Sequence, residues 1–108
     1  MSDAVVLVST FPDRTAARTA VRTLVEERLV ACGNILPGVE SIYRWQGAIE
    51  TAEEVMVIFK TTTESAEAAQ ARLRELHPYE VPEILHLPVD GGWQPYLDWV
   101  SEQVTRID

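Results

Sequence analysis

The sequence is poor in the residues that usually announce a chemistry. Its 108 residues include one cysteine, Cys32, and two histidines, His77 and His86. A single cysteine excludes an intramolecular disulfide, so the fold must rest on its core. No run approaches the roughly eighteen apolar residues of a membrane-spanning helix. The opening MSDAVVLVST lacks the basic segment of a secretory leader. A cytoplasmic setting and no membrane partner are the expectations. Glycine-rich phosphate loops are missing too, since PGVE and DGGW match neither G-x-G-x-x-G nor the Walker pattern. There is no H-x-x-x-H or C-x-x-C spacing, so one chain is not expected to close a tight metal site. Clustered positive charge is also lacking. Nine basic residues stand against 17 acidic ones for a net charge of −8, and Arg14, Arg18, Arg22 and Arg28 are scattered among acids and alanines. Such a field repels phosphate backbones, and no nucleic-acid partner is expected.

What is present suits one globular domain over residues 1–108, because 46% hydrophobic and 24% charged residues are enough for a core and a solvated surface. AVVLVST, Ala4 to Thr10, is a β-branched apolar run that reads as a strand. Asp13 can cap a helix from Arg14 to about Val30, with Ala17, Ala20, Val21, Leu24, Val25 and Leu29 on its apolar side. Ser41 to Trp45 alternates, and Gln46-Gly47 before Ala48 predicts a tight hairpin turn. Pro37 and Gly38 in the outgoing strand predict a bulge. The return strand is EEVMVIFKT, followed by a helix to about Leu76 with Thr61 and Glu64 at capping-box spacing. Pro78 stops that helix, EILHLP gives a last strand, and a short helix runs from Tyr96 to about Val104.

The order β-α-β-β-α-β plus a terminal helix predicts an α+β, ferredoxin-like sandwich with both long helices on one face of a four-stranded sheet. The other face would be wet, and wet strands alternate polar and apolar residues. VVLV and VMVIF do not alternate. Both faces of these strands call for burial, which predicts self-association through the open face.

Candidate chemistry gathers around LRELHPYEVPEI, Leu73 to Ile84. Its prolines are explained by the reversal from helix to strand, which leaves His77 and Glu83 without a structural account. Cys32 and His77 are a thiol and a base only by residue type, so catalysis is not expected. Lys60 ends one apolar strand and Trp45 ends its neighbour, which is either an edge lysine beside aromatics or a cleft for a small anion. Imidazole suits copper or zinc, which makes His77 the metal candidate.

VACGNILPGVESIYRWQGAIE, EEVMVIFKTT, LRELHPYEVPEI and YLDWV, in this order, resemble the CutA family of divalent-cation tolerance proteins. The resemblance runs from VLVSTFPD to Trp99, with Gly33 where a larger apolar residue is common. It implies a ferredoxin-like subunit in a tight homotrimer similar to the nitrogen-regulatory PII trimers. It further implies an inter-subunit cleft lined by Cys32, Trp45, Lys60, His77, Tyr79 and Glu83. Copper tolerance and divalent-ion binding follow by the same resemblance, with His77 the metal contact and Cu(II) or another divalent cation the ligand. Copper ligands proposed in some members fall here on Ser9, Leu76 and His77, so only one of the three is a ligand. Weak metal binding is the expectation; a signalling module for a small anion in the cleft is the alternative.

Overall fold

The first strand, β1 (Ala4–Phe11), leads into a helix, α1 (Arg14–Glu26), whose first turn is closed by Asp13 accepting from the Ala16 N–H. This computed structural model describes residues 2–104. The helix ends four residues before the expected Val30, because Arg28 turns to φ 59° and the chain reverses there. Arg28 instead sends its guanidinium to the Glu102 carbonyl of the terminal helix.

Two long strands follow, β2 (Cys32–Trp45) and β3 (Ala48–Thr62). Gln46 and Gly47 both have positive φ, 49° and 82°, the backbone of a two-residue hairpin turn whose twist matches its strands. A bulge interrupts β2 between Leu36 and Val39, as Pro37 and Gly38 predict. The second helix, α2 (Thr63–Leu76), is capped by Thr62, one residue later than the expected Thr61, through the Ser65 N–H. A short β4 (Leu85–Pro88) and α3 (Gln94–Gln103) complete the chain.

The strands form one antiparallel sheet in the order β2-β3-β1-β4, with β1 paired to both β3 and β4. This is the expected ferredoxin-like arrangement. Alternate residues along each strand point to opposite faces. Val5, Leu7 and Phe11 of β1 and Val55, Val57 and Phe59 of β3 meet Ala17, Ala20 and Leu24 of α1 and Ala66, Ala69 and Leu73 of α2 in the core. Gly33 lets α1 come close: a Cβ there would stand 3.0 Å from the Val21 methyls. His86 turns to the helix side and meets Gln70 of α2, while Leu85 and Leu87 lie on the other face.

On that other face Val6 and Val8 register with Lys60 and Ile58, Thr10 with Met56, and Leu36 with Met56. Leu36, Leu85 and Leu87 remain 41%, 54% and 47% exposed. Among the described residues only one end of this face is covered, where Val100 of α3 and Val104 just after it pack against Ala31. Beyond Val55, β3 has lost β1 and pairs with β2 alone, so residues 39–54 project as a two-stranded arm. The arm gives the molecule its 44 Å length against 25 and 22 Å across. Ile42 and Ile49, each 67% exposed, lie along it. Such a ribbon is marginal alone and calls for a neighbour.

Candidate functional site

The sheet forks where β1 ends. On one side stands the arm and on the other the segment after α2, and between them lies a cavity of about 520 Å³. Three of the expected cleft residues, Trp45, Tyr79 and Glu83, line it together with Thr10, Tyr43, Glu54 and Glu80. Tyr43 and Trp45 reach it because the bulge in β2 puts them on the same face as Glu54 and Met56. No lysine or arginine is among the described lining residues.

His77 stands behind this cavity and closes α2. It is 7% exposed, and its ring stacks on Phe11 at 4.4 Å between centroids, with Tyr79 at 4.9 Å on a tilted plane. Its Nδ1 accepts the Tyr79 N–H at 3.1 Å, which leaves Nε2 to donate to the Thr10 carbonyl at 2.8 Å. Burial lowers its pKa from the usual imidazole value, partly offset by the Thr10 carbonyl and by the charge of Glu54. Both ring nitrogens are therefore engaged inside the fold. The histidine that the sequence offers as a metal contact joins the end of β1 to the turn after α2.

The Tyr79 hydroxyl donates to Glu54 Oε2 at 2.6 Å, and burial together with this bond pushes the phenol well above its ordinary pKa. Glu54 is itself 7% exposed. Sequence reasoning passes over it because Glu53-Glu54 reads as a solvated pair before an apolar run. Its even spacing from Met56 and Ile58 is the signal that turns it onto the open face.

Cys32 and Lys60 are elsewhere. They are partners across β2 and β3 at the end of the sheet far from the fork. The Cys32 Sγ lies 3.6 Å from the Tyr96 hydroxyl of α3, and Lys60 Nζ donates to the Asn34 side chain. Within one chain the expected cleft set thus divides into two groups. Cys32 lies at that far end and His77 behind the fork, and no thiol–imidazole pair forms.

Residues 5–103 match the family described as CutA1 divalent ion tolerance protein. The chain belongs to this family. It is 49% identical over 97 residues to the divalent-cation tolerance protein CutA of Thermus thermophilus, a match covering 90% of this chain and 94% of that one. The CutA of Pectobacterium atrosepticum is 42% identical, covering 94% and 92%. The crystal structure of CutA from Xylella fastidiosa superposes with a TM-score of 0.94 at 43% identity, covering 96% of this chain and all of that one. Relatives are named for different compartments: one from Arabidopsis thaliana is called chloroplastic and one from Archaeoglobus fulgidus periplasmic. No helix among the described residues is long and apolar enough to cross a membrane.

Within the CutA frame, the three positions that the resemblance links to copper offer little to a metal. Ser9 is fully buried on the helix side and its hydroxyl lacks a hydrogen-bond partner among the described residues. Leu76 packs against the core, and His77 is tied at both nitrogens. No group of three or more histidine, cysteine or carboxylate side chains among the described residues could hold a metal ion.

Proposed function

We propose that the chain works in the cytoplasm as a homotrimeric, non-enzymatic protein of divalent-cation tolerance, and that it takes up metal ions weakly. The observation that carries the trimer is the open face of the sheet. Leu36 of β2 and Leu85 and Leu87 of β4 stand exposed there, beside an arm that no other described element of the subunit supports. Completing the burial of half-exposed leucines is worth on the order of 1 kcal/mol each, and a second and third copy supply the cover.

The family name supports the divalent-cation role, and the His77 geometry supports weak uptake. A metal reaching Nδ1 must displace the Tyr79 N–H, which costs roughly 1–3 kcal/mol if that donor is left unsatisfied. His77 with Glu54 or a neighbour's side chain is the contact this reading names, with Cu(II) or another divalent cation that suits imidazole as the ion. The small-anion alternative needs a cation in the cleft. Lys60 lies at the other end of the sheet and the fork is lined by glutamates, which favours the cation reading.

Native mass spectrometry with Cu(II) and Zn(II) tests this directly. A trimer that acquires Cu(II) only above micromolar concentration, with imidazole nitrogen couplings in its paramagnetic resonance spectrum, is the expected result. A monomer, or a trimer with no imidazole-bound copper at any concentration, overturns it.

A further inference from the structure

We propose that Lys60 of one copy pairs with Glu54 of the next, and that this ion pair sets how copies meet on the open face. The proposal rests on the trimer inferred above and adds its orientation. On that face β3 presents Glu54, Met56, Ile58 and Lys60 at alternate positions, an acid and a base at the two ends of an apolar row. Neither end is balanced within its own subunit. Glu54 is 7% exposed, and its described hydrogen-bond partner is the neutral Tyr79 hydroxyl. Lys60 is half-buried and donates to the neutral Asn34 side chain. Neither makes an ion pair among the described residues. The strand holds the two about 20 Å apart, too far to neutralise one another.

Closing the open face against another copy takes both charges further out of water, which is costly unless each meets an opposite charge. Stacked in parallel, two such rows bring glutamate to glutamate and lysine to lysine. Met head to tail, the base of one row reaches the acid of the next. Repulsion between like charges opposes the first arrangement, and attraction selects the second. In a ring of three, each copy gives one lysine and receives another, so every charge on the row is matched. The incoming ammonium then stands at the acid-lined fork. A metal ion entering there has to displace it, in keeping with weak uptake.

Sedimentation equilibrium on the full chain tests the pair. Lys60→Met and Glu54→Gln each remove one charge at similar length, and the glutamine carbonyl still accepts the Tyr79 hydroxyl. Each should raise the trimer dissociation constant about thirtyfold or more, the usual effect of stranding one partner of a buried charge pair. The double variant should raise it by much less than the product of the two, because no charge is left stranded. A second readout needs no substitution. Zero-length carbodiimide coupling of mixed isotope-labelled and unlabelled chains should join Lys60 of one chain to Glu54 of another, since the two cannot meet within a chain. A trimer in which the two substitutions act independently, or in which neither weakens association, overturns the pair and leaves the trimer standing. Coupling that never joins these residues across chains overturns the pair as well. A monomeric wild-type protein overturns trimer and pair together.

Discussion

The two faces of the sheet are made by the same strands and have opposite fates. On one, Leu7, Val57 and Phe59 are fully buried beneath α1 and α2. On the other, Val6, Val8, Met56 and Ile58 alternate with them residue by residue, and their neighbours Leu85 and Leu87 stay about half exposed. Composition does not distinguish these faces, since both are apolar. The difference lies in what the chain has available to cover them. Its two long helices close one face, and α3 reaches only the end of the other. One face therefore belongs to the stability of the subunit and the other to the association proposed above.

The largest effect that should sharpen this contrast is Phe59→Ala on the covered face. Removing a fully buried ring costs about 3–5 kcal/mol, read as a lower denaturant midpoint. Ile58→Asp, one residue away on the open face, should act differently. It should dissociate the oligomer in analytical ultracentrifugation while the far-ultraviolet circular dichroism of the subunit persists. If the Ile58→Asp protein keeps its native mass, the open face is not the interface.

His77→Ala comes next, at about 2–3 kcal/mol, since it strands the Thr10 carbonyl and the Tyr79 N–H and removes a stacked ring. The same residue sets a pH dependence. Its native pKa is lowered from the model-compound value of 6.5, so the unfolded chain binds the proton more readily. Its contribution is therefore complete above about pH 6.5 and declines as pH falls from there through the lowered native value. Thermal unfolding measured across that window should show the decline in wild type, and less of it in His77→Ala. Smallest of all is Ser9→Ala. It deletes a buried hydroxyl with no partner among the described residues, and stability should change by less than about 1 kcal/mol, in either direction.

Much of this architecture could be read from the residues. The turn at Gln46-Gly47, the bulge at Pro37-Gly38 and the strands apolar on both sides are local signals, set by backbone preference and period. The helix end near Arg28 was less legible, because Leu29 and Val30 continue an apolar pattern after the backbone has turned. The site was less legible still. His77, Tyr79 and Glu83 are close in sequence, and two of them do line the cavity with Trp45. Cys32 and Lys60 carry suitable chemistry, yet strand register sends them to the far end of the sheet. Glu54 was hidden by its neighbour Glu53, and only its even spacing from Met56 and Ile58 separates the two. Whether a histidine's nitrogens are free depends on backbone groups distant in sequence, here Thr10, and no spacing rule contains that.

The bulge at Pro37-Gly38 sets the chemistry of the cavity wall. Leu36 and Val39 stand opposite Met56 and Glu54, so three steps along β2 match two along β3, and the residues facing the open side change there from even to odd numbers. Had the same residues continued in unbroken alternation, Ile42 and Arg44 would stand on the face of Glu54 in place of Tyr43 and Trp45, and an aromatic, acid-lined cavity would hold a guanidinium. The bulge, rather than any one substitution, thus decides which side chains of the arm face the cavity. Among relatives of this chain, loop length at this point should be compared before any residue of the cleft is aligned.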